Sequence, residues 1–432
     1  MFMTKTPTKK QSWFGWCMYD WANSAFATVI LSAVLPIYFV TLVPEDGVGI
    51  SLFGFTHIIR ASSLWGYAVS CSMLIVAITS PYLGSLADRW SNHRKFLFIY
   101  CLLGSLCTAL LFFATPGRYI FTLILFIAAN IGFAGGNVFY NAFLPKLALN
   151  HELDRLSSQG FAYGYIGGGI ALLLVFGIIQ GYSFLGFEDK GAASRAGFLL
   201  TGIWWFLFSF PTYRYVHVPA GPIFEDKLHR GIRGYLQIFS EIAKYPALLL
   251  FLVAFLFYND GIQTIIVVAA IFAREELGLS QGTILACFLM IQFVAMPGTL
   301  LFGKLAEVYG AKRSLYLALI LFIIVTFFAY FMNTAWEFWL LGFVIAIILG
   351  GSQAVSRSLF SSLIPRGKHA EFFGFFAISA KFASVFGPLT FALIIDLTGS
   401  ARLSILSLSF FFIIGILLLA KVDTTSEGTV TT

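Results

Sequence analysis

Charged residues are scarce in this sequence. Only 11% of its 432 residues are Asp, Glu, Lys or Arg, whereas 59% are hydrophobic. A soluble domain typically carries about 25% charged residues, so a composition this apolar excludes an ordinary soluble fold.

Side chains arranged for metal binding or catalysis are also lacking. The six histidines lie in loops or at the ends of apolar runs, and the five cysteines lie within such runs without metal or redox spacing. The sequence has no phosphate-binding loop, zinc motif or nucleophile elbow. We therefore expect no metal, no cofactor, no ATP-driven step and no enzymatic activity.

Long apolar runs dominate what is present. Each approaches or exceeds the ~20 residues that a helix needs to span a bilayer, and none alternates with polar residues as a membrane β-strand does. The pattern predicts an all-α membrane protein of twelve transmembrane helices. They are expected at 13–42, 62–86, 96–115, 119–144, 160–183, 197–216, 246–272, 282–303, 314–332, 336–361, 373–396 and 402–421.

Basic residues beside these runs indicate the orientation. With the N-terminus inside, the inner loops and tails hold 19 Lys and Arg, and the outer loops hold six. Basic residues accumulate on the cytoplasmic side, so both termini are expected to be cytoplasmic. The net charge of +7 then needs no nucleic acid to explain it. The compact loops and short tails favour a bacterial inner membrane over a vacuole.

The longest hydrophilic stretch between runs, 217–245, divides six runs from six. It predicts an N-terminal half at 1–216, a cytoplasmic linker at 217–245 and a C-terminal half at 246–432. Apolar residues recur in the linker at helical spacing, which indicates either an amphipathic helix on the membrane surface or a helix packed on the loops. These residues are Leu228, Ile232, Leu236, Phe239 and Ile242.

The two halves repeat each other in sequence. The segment 84–88 after the second run is similar to 303–307 after the eighth, and Pro145 after the fourth run corresponds to Pro365 after the tenth. Internal repeats of this kind are typical of transporters whose halves rock about a central site.

The segment 84–95 has Gly, then Leu-Ala-Asp-Arg, then basic residues. It resembles the loop signature of the major facilitator superfamily between spans two and three. The resemblance implies a gating role, in which the glycine lets two helices approach and the acid lies against a helix N-terminus or an Arg. The residues given this role are Gly84, Asp88, Arg89, Gly303 and Glu307.

A narrower set of motifs covers nearly the whole chain. The motifs are 19–26 (YDWANSAF), 140–145 (YNAFLP), 164–168 (GYIGG), 350–358 (GGSQAVSRS), and Lys381 with 387–388 (GP). Together they resemble the branch of the superfamily that includes the autophagy-related vacuolar amino acid effluxers and many bacterial relatives. The resemblance implies a transporter of a small solute.

Four charged residues fall within the predicted spans, namely Asp20, Asp260, Arg357 and Lys381. A charge near the bilayer centre costs at least ~2.5 kcal/mol, so such a side chain usually faces a wet cavity or a partner. Asp20, Asn23 and Ser24 lie on one helix face, since they are spaced i, i+3 and i+4.

The seventh span repeats this stripe of acid, amide and hydroxyl with Asp260, Gln263 and Thr264. The superfamily resemblance places both stripes at the central cavity, as binding sites for substrate or protons. The alternative is that both stripes bond helix to helix within the bundle.

The two intramembrane cations each have two interpretations. The superfamily resemblance places Lys381 near Asp260, where it either neutralises the acid or forms with it a site that binds both charges of a substrate. Arg357 either binds a substrate carboxylate or closes the inner gate by pairing with Asp20, and we favour the gate.

Two acids and two bases favour a zwitterionic or anionic organic solute. The sequence therefore predicts a monomeric secondary transporter, surrounded by membrane lipid, that moves an amino acid or similar zwitterion by alternating access. Proton coupling, if present, requires Asp20 or Asp260. The alternatives are a lysolipid translocase and a transporter-like sensor.

Overall fold

The computed structural model describes residues 7–52, 55–89, 93–148, 153–216, 239–364, 372, 376, 379 and 384–423. Helices dominate these ranges, because backbone amides in hydrocarbon must be satisfied within their own segment. Before residue 217 the helices are α1 (Lys9–Ala25), α2 (Val34–Val40), α3 (Ala61–Arg89), α4 (His93–Leu110), α5 (Tyr119–Asn141), α6 (Leu144–Leu147), α7 (Leu153–Gln180), α8 (Lys190–Phe208) and α9 (Phe210–Tyr215).

From residue 246 onward, the helices are α10 (Pro246–Glu275), α11 (Gln281–Tyr309), α12 (Ala311–Phe331), α13 (Ala335–Leu363), α14 (Phe386–Thr398) and α15 (Ala401–Ala420). Ten helical segments in the described ranges are long and apolar enough to cross a membrane, and they coincide with ten of the predicted runs. At the other two runs the structure has α8 followed by α9, and the shorter apolar helix α14.

Side-chain caps set several helix starts. Thr8 and Thr334 form capping boxes with Gln11 and Glu337, and Asp189 accepts a hydrogen bond from the backbone N–H of Ala192. Such caps satisfy amides that the first helical turn leaves without partners. Hydropathy detects apolar runs rather than caps, and therefore placed the starts of α1 and α8 too late, at residues 13 and 197.

The first span contains a wide turn. Residues Phe26–Ala33 between α1 and α2 form a π-helix, in which Ser32 Oγ donates to the carbonyl of Ala27 at 2.8 Å. Pro36 follows closely, and it has no N–H to donate to the carbonyl of Ser32 four residues earlier. The hydropathy pattern did not predict this change in winding.

Two strands lie between the first and second spans. Val48–Leu52 (β1) pairs antiparallel with Phe55–Ile59 (β2), in a register that places Val48 opposite Ile59. This hairpin was not expected from the sequence. We call the end of the bundle that carries it the hairpin end, and the end where 217–238 connect α9 to α10 the linker end.

A basic residue caps the last helix before the linker, α9, and another caps the last helix of the C-terminal part, α15. Arg94 at the start of α4 donates to the carbonyl of Tyr213 in α9. Lys312 at the start of α12 donates to the carbonyls of Ala420 and Val422 at 3.2 and 2.6 Å. A cation is favoured at the carbonyl end of a helix. In both parts of the chain, therefore, a basic residue at the start of the third span binds the carbonyl end of the sixth.

The helices before and after the linker pack together at the hairpin end. Trp65 in α3 donates to the carbonyl of Val267 in α10 at 2.9 Å. A Cβ at Gly66 would lie 2.8 Å from the carbonyl oxygen of Pro388 and 3.0 Å from Cβ of Ala392, so α3 and α14 are in close contact. The protein is therefore closed at this end.

Candidate functional site

Asp20 lies in the first half of the first span, beside an aromatic cluster. Its Oδ2 accepts a hydrogen bond from the phenol of Tyr140 at 2.7 Å. The Tyr140 ring stacks on Trp16 with 4.4 Å between centroids and on Tyr19 with 5.1 Å. Aromatic stacking on both neighbours fixes the Tyr140 ring, and the ring in turn fixes the carboxylate.

The polar stripe of the first span packs on glycines of α7. A Cβ at Gly160 would lie 2.7 Å from Oδ2 of Asp20, and one at Gly164 would lie 2.7 Å from Oγ of Ser24. One at Gly168 would lie 2.6 Å from Oγ1 of Thr28. The spacing of four residues brings these glycines onto one face, and their missing side chains leave room for the polar stripe.

Arg357 reaches this region from α13. Its guanidinium lies over the ring of Phe161 in α7, with 3.9 Å between Cζ and the ring centroid. Phe161 is the next residue after Gly160, whose missing side chain makes room for the Asp20 carboxylate. A cation from the C-terminal part of the chain and an acid from the N-terminal part are thus brought to the same stretch of α7.

Other polar residues of the first span have amide partners. Nδ2 of Asn23, which is buried, donates to Oδ1 of Asn137 at 2.8 Å. Nε2 of Gln292 in α11 donates to Oγ1 of Thr28 at 3.2 Å. The bond from Gln292 to Thr28 joins a helix that precedes the linker in sequence to one that follows it, near the middle of both.

Asp260 has a different environment from Asp20. It is 2% exposed, and its Oδ1 accepts the backbone N–H of Gly387 at 2.9 Å. Gly387 lies in the first turn of α14, after a turn and bend at 384–385. Asp260 thus caps a helix that begins within the predicted eleventh span, where an anion is favoured.

Thr264, the hydroxyl of this stripe, contacts both the helix backbone and the same glycine. Oγ1 of Thr264 donates to the carbonyl of Asp260 at 2.7 Å, and a Cβ at Gly387 would lie only 1.9 Å from Thr264 Oγ1. Gln263 is half-buried. The predicted partner Lys381 lies outside the described residues.

Matching contacts show how the two stripes correspond. The phenol of Tyr258 is 2.8 Å from Oγ of Ser356, and a Cβ at Gly136 would lie 2.7 Å from the phenol of Tyr19. Gly167 and Gly387 closely approach the carbonyl oxygens of Trp21 and Asp260, at 2.4 and 2.9 Å from a built Cβ. Asp260 therefore occupies the position of Trp21, one residue along from Asp20.

The predicted gating residues lie at the linker ends of two helices. Gly84, Asp88 and Arg89 fall in the last two turns of α3. Glu307 in α11 is exposed, and a Cβ at Gly303 would meet no atom within 4 Å. Among the described residues, therefore, none makes the close helix contact expected at Gly303. Of the linker residues, Ile242 is buried and Phe239 is exposed, whereas Leu228, Ile232 and Leu236 lie outside the described residues.

Asn137, Phe161 and Gln292 were not among the site residues expected from the sequence, and Tyr140 had no expected role. The internal repeat carried a signal for Asn137. It lies eight residues before Pro145, as Arg357 lies eight residues before the matching Pro365, so the two occupy the same position in the repeat. The others depend on contacts between distant helices. Within the described ranges, no group of three or more His, Cys, Asp or Glu is placed to hold a metal ion.

Solved transporters share this fold. A bacterial homolog of the human lysosomal transporter Spinster, inward-facing and unoccupied, has a TM-score of 0.68 and 14% identity, with 96% of this chain and 97% of that chain covered. The xylose transporter XylE from E. coli, partially occluded and inward open, has a TM-score of 0.66 and 16% identity, covering 95% and 96%. The fold is that of the major facilitator transporters.

Sequence relatives define the family. The model of the family described as vacuole effluxer Atg22 like matches residues 8–429. An uncharacterized MFS-type transporter of Bacillus subtilis (strain 168), YxiO, is 35% identical over 426 residues, covering 97% of this chain and 96% of the relative. Autophagy-related protein 22 of Coccidioides immitis (strain RS) is 23% identical over 509 residues, covering 92% and 84%.

The chain belongs to the Atg22-like family, and it is a multi-pass membrane transporter of the major facilitator type. The resemblance inferred from the motifs is confirmed. The homologues are transporters rather than enzymes.

Proposed function

We propose that this protein is a secondary transporter that moves an amino acid or a similar zwitterion by alternating access. Asp20 provides the anionic group for the substrate ammonium. Arg357 provides the cationic group for its carboxylate, which a guanidinium can bind through two parallel hydrogen bonds. One observation carries the proposal. Asp20, which precedes the linker in sequence, and Arg357, which follows it, lie against adjacent residues of α7, Gly160 and Phe161.

Arg357 also closes the linker end in this proposal. In the resting state its guanidinium lies on Phe161, a contact that a substrate carboxylate can replace. Together with the packing at the hairpin end, this contact supports a state that is closed at both ends, from which either end opens in turn. The substrate path is lined by the remaining members of the two polar stripes, Asn23, Ser24, Gln263 and Thr264. The helix ends that move during the transition carry the gating residues Gly84, Asp88, Arg89, Gly303 and Glu307.

The membrane arrangement in the proposal follows the charge distribution. The chain has twelve spans in two six-helix halves, 1–216 and 246–432, joined by a cytoplasmic linker at 217–245, with both termini inside. It acts as a monomer in a bacterial plasma membrane. The bacterial relative supports that membrane, whereas the fungal relatives carry an autophagy-related name.

Proton coupling, as proposed here, uses Asp260. Its carboxylate is buried against a backbone N–H, and gain of a proton would weaken that acceptor and loosen the start of α14. An imposed pH gradient should therefore drive uptake in the unaltered protein and not in Asp260→Asn. A gradient effect that persists in Asp260→Asn would remove Asp260 from this role.

Ligand-induced stabilisation tests the substrate class. A ligand that binds the native state raises the unfolding temperature, by an amount that grows with its concentration relative to Kd. Purified protein should be stabilised by one or more amino acids, and Asp20→Asn should abolish that shift. Asp189→Asn is the matched control, because it makes the same chemical change at a helix cap where Asn caps as well as Asp. Stabilisation by lysolipid alone would overturn the proposal.

A further inference from the structure

A basic and aromatic groove lies on the N-terminal part of the bundle at the linker end. It encloses about 620 Å³ between α4 and the α8–α9 segment. Its cations are Arg94, Lys95 and Arg214, and its aromatic lining includes Phe98, Phe206 and Phe210. The transport mechanism proposed above uses none of these residues.

The shape of the groove follows from helix packing. Toward the hairpin end α4 and α8 touch, since a Cβ at Gly202 would lie 2.6 Å from the carbonyl oxygen of Ser105. Toward the linker end the helix of the sixth span is interrupted, because α8 ends before Ser209 and α9 restarts with Pro211 in its first turn. The interruption lies beside the groove, whose lining includes Phe206 and Phe210.

Contacts among the lining residues hold the groove in shape. Arg94 donates to the carbonyl of Tyr213, and the Tyr213 ring meets Phe98 edge-on with 5.3 Å between centroids. The phenol of Tyr213 donates to the carbonyl of Leu97 at 3.4 Å. Lys95 and Arg214 remain exposed at the mouth.

An apolar surface runs from the groove along both helices. Phe98, Leu102 and Leu106 are exposed at successive turns of α4, and Ile203 and Phe210 are exposed on the opposite wall. Helix ends in a spanning bundle lie near the lipid headgroups, and the apolar surface beyond them meets acyl chains. Cations at the mouth and apolar side chains below match the two ends of one phospholipid molecule.

We propose that this groove binds an anionic phospholipid, with the phosphate-bearing headgroup against Arg94, Lys95 and Arg214 and one acyl chain along the exposed surface of α4. Basic pockets between spanning helices bind anionic headgroups in this way. The site is independent of the transport proposal, because a lipid could bind here whatever solute the protein moves.

The test uses the full-length protein in detergent with phosphatidylglycerol or phosphatidylcholine added, and counts bound lipids by native mass spectrometry. Phosphatidylglycerol should bind more tightly than phosphatidylcholine. Lys95→Gln/Arg214→Gln should weaken phosphatidylglycerol binding on the order of thirtyfold, or about fivefold for each cation removed near the surface. Lys304→Gln/Lys421→Gln, which removes two exposed cations elsewhere at the linker end, should leave it unchanged.

Three outcomes would overturn the proposal. One is equal binding in the groove variant and the unaltered protein, and another is an equal loss in both double variants. The third is competition by soluble glycerol phosphate at the concentration at which the lipid binds, which would indicate a site for a free anion. A salt series on the unaltered protein gives a second measurement, because binding by exposed cations should weaken as ionic strength rises.

Discussion

The two intramembrane acids, Asp20 before the linker and Asp260 after it, have different hydrogen-bond donors. Asp20 accepts from a phenol that two aromatic rings clamp, and Asp260 accepts from the backbone N–H of Gly387. A Tyr-to-Phe substitution removes the phenol hydroxyl, whereas the donor to Asp260 belongs to the backbone and is present with any side chain other than proline. The consequences of changing each acid should therefore differ.

The bond from Gly387 to Asp260 makes a prediction for stability. Asp260→Asn keeps an oxygen that can accept the N–H, whereas Asp260→Ala leaves the N–H buried without that partner. An unsatisfied buried donor costs about 1–3 kcal/mol. Thermal unfolding in detergent should therefore show a clear loss of stability for Asp260→Ala and little for Asn, and equal losses would contradict the capping role.

The phenol of Tyr140 makes a prediction for substrate affinity. Tyr140→Phe keeps the stacked ring but removes the O–H that orients Asp20. Hydrogen bonds to charged groups contribute about 1.5–3 kcal/mol, so the affinity for substrate should fall at least roughly tenfold. Titration with the stabilising amino acid measures this change. Tyr38→Phe removes a phenol at the hairpin end as a control, and an equal effect there would contradict the assignment.

At the scale of elements, α7 is the helix on which the site depends. A Cβ at Gly167 would lie 2.4 Å from the carbonyl oxygen of Trp21, which is backbone and cannot rotate away. Gly167→Ala should therefore push α7 from the first span and cost about 1–3 kcal/mol. Unfolding temperatures measure the cost.

Gly177 provides the control within the same helix, because a Cβ there would meet no atom within 4 Å. Gly177→Ala should be neutral or slightly stabilising, since Ala favours helix over Gly by about 1 kcal/mol. Similar losses for both substitutions would show that α7 does not pack on the first span as described.

Some of these elements could be predicted from the sequence and others could not. Ten spanning helices follow from runs of apolar residues, a property that each segment carries alone. The strands Val48–Leu52 and Phe55–Ile59 are too short for such a signal. The cap at the start of α14 depends on Asp260, more than a hundred residues away, which supplies the acceptor for the N–H of Gly387.

Some residues of the candidate site could likewise be predicted from the sequence, and others could not. Asp20, Asp260 and Arg357 could be selected because charge in an apolar run is costly wherever the helices lie. That Arg357 lies on Phe161, or that Gln292 bonds Thr28, depends on how the two sides of the linker pack. No pattern within one helix contains that information.

At the scale of the whole molecule, closure at the hairpin end predicts that transport requires this contact to open. Cβ atoms at positions 66 and 392 are close enough to join by a disulfide after a small shift. Oxidation of Gly66→Cys/Ala392→Cys, with the exposed Cys71 changed to Ser, should stop uptake, and reduction should restore it. The single-cysteine variants are the controls, and uptake that continues when the bridge has formed would contradict alternating access.

Uptake into proteoliposomes measures the central claim directly, since a purified transporter needs no other protein. Radiolabelled amino acids should accumulate with the unaltered protein and with Asp189→Asn. Asp20→Asn and Arg357→Gln should each reduce the rate by at least about tenfold, because each leaves one end of the zwitterion without its charge partner. Uptake by Asp20→Asn at the rate of Asp189→Asn, or no uptake of any amino acid by the unaltered protein, would contradict the account.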